Sequence, residues 1–111
     1  MEGFKESVYR DVCCLAFQGV KEFRLPSGKV IDIVNNIFAV EVDYTHKWAE
    51  SIGQALQYAY ESGKKPCIVF IYDYSKDYAL LNSVLPTIKR LYITLYTIDL
   101  KTRKIEIKWM S

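Results

Sequence analysis

The sequence has 111 residues, half of them hydrophobic and a quarter charged, and its formal net charge at pH 7 is +2. This length and balance predict one globular domain over residues 1–111 and exclude a disordered or collagen-like chain. The small positive charge falls well short of the excess that indicates nucleic-acid binding by itself.

The first segments of the chain predict a helix and a hairpin. Apolar residues at helical spacing predict a helix over residues 3–17, with Gly19 just past its end. Residues 20–25 alternate weakly between apolar and polar. Pro-Ser-Gly at 26–28 separates them from a β-branched run at 30–34, so these two segments predict a pair of antiparallel strands.

A second turn, a third strand and a long helix follow. Asn35-Asn36 predicts a tight turn before a strand over residues 37–42, so the second and third strands should also pair antiparallel. Residues 46–62 have the clearest helical pattern of the chain. Thr45 is the candidate N-cap of this helix and Gly63 its terminator.

The C-terminal part predicts a buried strand, a helix and two more strands. The continuous apolar run at 67–72 indicates a central strand buried on both faces. Residues 77–90 predict a helix in spite of Pro86, and residues 91–98 and 105–109 predict the last strands. The order αβββαβαββ predicts an α/β fold with a mixed sheet flanked by helices.

The cysteines and the N-terminus bear on location. Cys13, Cys14 and Cys67 are odd in number and lack metal-ligand spacing, which favours reduced thiols and an intracellular, cytoplasmic protein. The N-terminus lacks the pattern of a signal peptide, and no apolar run is long enough to span a membrane. We therefore expect a protein that has no membrane partner.

Two carboxylates are the most informative polar residues, because Asp32 and Glu41 both lie within apolar strands. Isolated carboxylates are costly to bury, so strands keep them at a sheet edge, in pairs or around a cation. Residues on either side of the Asn35-Asn36 turn could converge on one divalent ion. The alternative is that both side chains alternate outward onto a solvated face.

The helix at 46–62 carries a polar stripe next to these acids. At about 100° per residue, Lys47, Ser51, Gln54 and Tyr58 fall on one side of the helix. A lysine in the first turn opposes the helix macrodipole, which suggests a role near the carboxylates and any phosphate they hold. A solvated lysine is the alternative. His46, the only histidine, is interpreted as a helix-start residue without catalytic duty rather than as a general base, which is the alternative.

Three segments together resemble the core of PD-(D/E)XK nuclease-like proteins, including small plasmid- and virus-borne members. They are LPSGKVID ending at Asp32, AVEVD containing Glu41, and the helix with Gln54 and Tyr58. The resemblance covers about residues 4–72 and implies a restriction-endonuclease-like sheet. The Gln-x-x-x-Tyr motif is the more specific match, because it resembles a subset of these nucleases related to RecB-type and resolvase enzymes.

The resemblance implies a set of site residues. Asp32, Glu41 and the backbone carbonyl of Val42 would bind Mg²⁺ or Mn²⁺. Gln54 and Tyr58 would position nucleic acid or the active site. The family often adds a Glu from the first helix, for which Glu6 is the best match and Glu2 the alternative.

One departure from the family pattern concerns the lysine expected two residues after the strand glutamate. That position holds Asp43, whose negative charge cannot stabilise an attacked phosphate. Some family members carry the lysine on the adjacent helix, so Lys47 is the candidate replacement here. Asp43 would then be either an additional metal ligand or a solvent-facing residue.

Two functions from different classes follow. The first is a metal-dependent deoxyribonuclease of the endonuclease or junction-resolving type, a class whose members commonly form homodimers. The second is a catalytically inactive nuclease-like domain that binds nucleic acid or a protein partner. In the first, a metal-bound water would attack the phosphodiester and Lys47 would orient that water. DNA backbone contacts would come from basic residues that also suit plain solvated surface: Lys5, Arg10, Lys29, Lys64, Lys65 and Lys89.

Overall fold

The computed structural model describes residues 3–111 and has the predicted order of elements. Residues 3–111 form three α-helices, a short 3₁₀ turn and six strands. The helices are α1 (Glu6–Phe17), α2 (Trp48–Ser62) and α3 (Tyr74–Arg90). The strands are β1 (Val20–Arg24), β2 (Val30–Val34), β3 (Phe38–Tyr44), β4 (Lys65–Tyr72), β5 (Thr94–Asp99) and β6 (Ile105–Trp109).

The six strands form one mixed sheet in the order β1-β2-β3-β4-β5-β6. The β1–β2, β2–β3 and β5–β6 pairs are antiparallel, whereas β4 pairs parallel with both β3 and β5. Each parallel connection runs through a helix, as parallel strands require. The chain is therefore an α/β protein with a six-stranded mixed sheet, and β4 is the central, doubly paired strand that its apolar sequence predicts.

Helices cover both faces of the sheet. The α1 face buries alternate residues of the central strands around Tyr9 and Cys13, including Val40, Val69 and Ile98. The opposite face packs α2 and α3 over the other set of alternate residues, with Phe70 at its centre. This alternation places successive residues of β3 on opposite faces, so Glu41 and Asp43 point to the face covered by α2.

Some boundaries differ from the prediction. β3 continues to Tyr44 because it stays paired with β4 as far as Ile71. Thr45 is not the N-cap of α2: a 3₁₀ turn at Thr45–Lys47 precedes the helix, and the Thr45 hydroxyl donates to the Ile71 carbonyl at 2.9 Å. α3 begins at Tyr74, where Asp73 supplies the cap by accepting from the backbone N–H of Ser75.

The thiols of Cys13 and Cys67 are buried and that of Cys14 is half-buried. Burial raises the pKa of Cys13 to about 12, which keeps this thiol protonated and inert. Within residues 3–111, the helices are all too short or too polar to cross a membrane.

Candidate functional site

Asp32 lies at a break in the regular sheet. The β1–β2 pairing runs from Val20–Val34 to Arg24–Val30 but omits the level of Asp32. Its counterpart there, Glu22, has a φ of 53°, a left-handed conformation that ordinary strand residues avoid. On the other side, the β2–β3 pairing stops one residue before Asp32. The Asp32 side chain therefore does not have to point straight above or below the sheet, and it can extend toward the neighbouring strand β3.

The contacts of Asp32 follow from this break. Its Oδ2 accepts the backbone N–H of Val42 at 2.8 Å, and its Oδ1 lies 3.8 Å from Nη1 of Arg10. Burial raises the pKa of Asp32, although the Val42 N–H and the Arg10 charge both favour its ionised form. Because the N–H and C=O of one strand residue point to the same side, the Val42 carbonyl also faces the gap between β2 and β3.

Glu41 stands beside Asp32 and is almost inaccessible, with 7% of its surface exposed. Its Oε1 is buried and has no hydrogen-bond partner among the described residues. Burial, followed by the charge of Asp32 and a hydrogen bond with it, raises the pKa of Glu41 to about 9. Glu41 is therefore protonated at neutral pH and donates to Asp32. The alternative of two carboxylates on a solvated face is wrong.

Asp43, in the position where the family carries a lysine, is buried as well. Its Oδ2 accepts from the hydroxyl of Ser51 at 3.2 Å, and its Oδ1 accepts from the N–H of Tyr44 at 2.9 Å. Ser51 is itself fully buried on the first turns of α2. Asp43 thus ties β3 to α2, and the expectation that it faces solvent is wrong.

Two cations accompany the carboxylates. The Arg10 side chain extends from α1 toward the sheet, where its Nη2 lies 3.7 Å from Glu6 and its Nη1 lies 3.8 Å from Asp32. Its buried Nε has no hydrogen-bond partner within residues 3–111. Lys47 is exposed, yet its charge lowers the pKa of Glu6. Burial has the larger effect and leaves the Glu6 pKa raised. Glu6, Arg10 and Lys47 therefore border the same acidic site as Asp32.

Gln54 and Tyr58 approach the site from α2, one helical turn apart. The Oε1 of Gln54 is buried without a partner among the described residues. Burial raises the pKa of Tyr58, and the charges of Glu41 and Asp32 add to this effect. Both side chains line an open cleft of about 470 Å³ that also includes Lys29. The Gln-x-x-x-Tyr motif thus forms the side wall of a cleft next to the carboxylates.

The oxygen atoms of this site can be compared with the ligands that a divalent cation such as Mg²⁺ binds in proteins. Within residues 3–111, no three His, Cys, Asp or Glu side chains lie close enough together to hold a metal. Mg²⁺ needs fewer than three such side chains, because proteins usually bind it through one or two carboxylates while it keeps several water ligands. Asp32, the partnerless Oε1 of Glu41 and the Val42 carbonyl supply oxygen ligands of that kind. The residues present fit Mg²⁺ or Mn²⁺.

Sequence reasoning missed Arg10 as a member of the site and named it only among surface cations. Charge pairs between a helix and a distant strand leave no local signal, although a buried Asp32 does call for a counter-charge. Glu2, the alternative to Glu6, lies outside the described residues. His46 is exposed and its ring stacks on that of Tyr44 at 5.9 Å.

The fold and the site define an α/β protein with the carboxyl pair Asp32 and Glu41 at the β2–β3 gap and a third carboxylate, Asp43, buried on the same strand as Glu41. Comparison of the chain with protein-family models, curated proteins and solved structures gives no match. The resemblance to PD-(D/E)XK nucleases therefore stays a prediction from the residues that carry it.

Proposed function

We propose that the protein is a metal-dependent deoxyribonuclease with a restriction-endonuclease-like fold. The observation that carries this proposal is Glu41, a buried carboxyl with a partnerless Oε1 beside a second carboxylate. Without a cation, the protein must hold a proton on Glu41, whereas a divalent ion would stabilise both carboxylates in their ionised form. Asp32, Glu41 and the Val42 carbonyl are the proposed ligands of Mg²⁺ or Mn²⁺.

The roles of the surrounding residues follow from where they lie. When bound, the ion supplies an activated water and stabilises the charge that develops on the phosphodiester. Arg10 holds Asp32 and Glu6 in place through its guanidinium. Lys47, exposed at the mouth of the site, orients the water or neutralises the phosphate, as the absent strand lysine would. Gln54 and Tyr58 position the DNA backbone from the cleft wall.

A catalytically inactive nuclease-like domain is the second candidate, and Asp43 is the observation that favours it. Asp43 is buried and hydrogen-bonded to Ser51. This position of β3 therefore carries a negatively charged residue type where the nuclease family has its lysine. Such a domain would bind nucleic acid or a protein partner through the same face without cutting DNA.

A cleavage assay tests the proposal directly. Purified protein is incubated with single-stranded, duplex and branched DNA in Mg²⁺ and in Mn²⁺. Wild type is compared with Glu41→Gln and Lys47→Ala. Arg90→Ala serves as the control, since Arg90 is an exposed cation in the last turn of α3 and is not among the candidate DNA contacts.

We expect Glu41→Gln to lose cleavage by at least about 100-fold, which corresponds to about 2.7 kcal/mol of transition-state stabilisation. Lys47→Ala should lose a similar amount, while Arg90→Ala should match wild type. Equal cleavage by wild type and Glu41→Gln would refute the assignment of the site. Tight DNA binding without cleavage in any metal would favour the inactive domain instead.

A further inference from the structure

A second cleft lies at the other end of the sheet, between the start of α3 and the β5–β6 hairpin. It has a volume of about 260 Å³ and is lined by Tyr72, Tyr74, Lys104 and Lys108, among others. We call it the tyrosine–lysine cleft. Its volume falls below the ~300–1,000 Å³ of pockets for drug-sized ligands, so it suits one small group. None of the residues in the carboxylate site lines it.

Aromatic rings at this cleft are exposed to solvent. Tyr74 is 65% and its neighbour Tyr78 52% exposed, and their ring centroids lie 5.0 Å apart with the planes tilted by 40°. Tyr72, buried at the end of β4, meets Tyr74 edge-on at 6.5 Å. Large exposed rings fixed by one another form a ready platform for a stacked base, since every base offers a π-face to such a ring.

The hairpin beside these rings carries more cations than acids. Residues 99–109 contain four cations, Lys101, Arg103, Lys104 and Lys108, and two acids, Asp99 and Glu106, both of which line the cleft. Glu106 lies 3.6 Å from the ammonium of Lys104 and 3.3 Å from that of Lys108, so one carboxylate holds two ammonium groups beside the cleft. The Lys108 ammonium also lies 5.9 Å from the centre of the Tyr72 ring. The hairpin therefore keeps a net positive charge next to an aromatic platform, which complements a phosphate chain that carries bases.

We propose that the tyrosine–lysine cleft binds single-stranded nucleic acid. A base stacks on Tyr74, and the adjoining phosphates contact Lys104 and Lys108. Single strands are favoured over duplex because a base must leave its stack to meet the ring. This binding rests on the exposed rings and the hairpin charge, and does not require the proposed cleavage.

The cleft and the carboxylate site share one face of the sheet. The register aligns Asp43 with Phe70, Thr97 and Glu106 across four neighbouring strands. Thr97 and Glu106 line the cleft and lie two and three strands from Asp43, or roughly 10–15 Å at the usual strand spacing. Phe70, which lies between them, is buried under α2 and α3, so a strand held at Tyr74 would have to pass around these helices to reach the carboxylates.

Fluorescence anisotropy of a labelled oligothymidine 12-mer measures this binding. The assay contains EDTA, which removes divalent ions, so that binding is measured without cleavage. We expect Tyr74→Ala to weaken binding about 5- to 150-fold, the effect of losing one stacked base, and Tyr74→Phe to retain it. Lys108→Gln should reduce the slope of log affinity against log salt by about 0.7, as for one phosphate contact with a single strand. Tyr60→Ala, which removes an 86% exposed ring on α2, is the matched control.

Three results would overturn the inference: equal affinities of Tyr74→Ala and Tyr60→Ala, tighter binding of duplex than of the single strand, or no binding by the wild type. Sedimentation of the unlabelled protein adds a fourth, because self-association lost in Tyr74→Ala would make the cleft an interface between copies of this chain. Since the assay contains no divalent ion, an absence of nuclease activity leaves its outcome unchanged.

Discussion

Replacing Glu41 by glutamine should stabilise the protein increasingly as the pH rises. Burial and the neighbouring carboxylates raise the pKa of Glu41 from 4.5 to about 9. Between these values the folded protein holds a proton that the unfolded chain has released. The stability of the wild type is therefore unaffected by Glu41 below about pH 4.5 and falls as the pH rises towards 9. Glutamine does not titrate, so the Glu41→Gln variant lacks this contribution to the pH dependence of stability.

The size of this stability change follows from the difference between the pKa of Glu41 in the folded and in the unfolded protein. Each pH unit between the two pKa values lowers the free energy of unfolding of the wild type by up to about 1.4 kcal/mol. From pH 4.5 to pH 7 the loss is therefore roughly 3 kcal/mol. Glutamine has nearly the volume of glutamic acid, and its amide can donate to Asp32 as the carboxyl does, so the packing changes little.

Urea unfolding at pH 5, 6, 7 and 8 in EDTA measures the effect. The stability difference between Glu41→Gln and wild type should be small at pH 5 and widen by about 1 kcal/mol per pH unit. Glu50→Gln is the control, because it makes the same substitution at an exposed glutamate on α2, where burial does not act on the carboxyl. A constant difference between Glu41→Gln and wild type across this range would refute the buried, protonated state of Glu41.

Three further predictions concern the site and its support. Ser51→Ala removes the donor to buried Asp43 and should lower the free energy of unfolding by about 1–3 kcal/mol, with urea denaturation as the measurement. Tyr9→Phe removes the hydroxyl that donates to the carbonyl of Leu100; a similar loss of about 1–3 kcal/mol should appear as a lower Tm, and an unchanged Tm would contradict it. Mn²⁺ binding at pH 7 should release up to one proton from Glu41, seen by calorimetry in buffers of different ionisation enthalpy. A heat that is independent of buffer would contradict that release.

Much of the fold follows from the sequence because its elements carry strong local signals. The apolar run that became β4 and the periodic segment that became α2 leave little choice of structure. Boundaries are less determined, since pairing across the sheet sets them. Tyr44 belongs to β3 because a partner strand extends opposite it, and Thr45 fails as a helix cap because its hydroxyl finds the Ile71 carbonyl instead.

The carboxylates of the site could be named from the sequence, but their environment could not. Acids in apolar strands are conspicuous, which identifies Asp32 and Glu41. Nothing local indicates that Glu22 adopts a left-handed conformation opposite Asp32, which frees that side chain to bind β3. Arg10 joins the site only because α1 packs across the sheet, a contact between residues 22 positions apart along the chain.

The balance of charge at the site bears on the choice between an active and an inactive domain. Within residues 3–111, four carboxylates face two cations there: Glu6, Asp32, Glu41 and Asp43 against Arg10 and Lys47. With every group ionised, this cluster carries two negative charges in excess, and a proton on Glu41 removes only one of them. A divalent cation would cancel both. A surface that only binds DNA gains nothing from such an excess, because it repels phosphate, and neutral residues would pack there at lower cost. These carboxylates therefore favour the proposed nuclease over an inactive domain that only binds DNA.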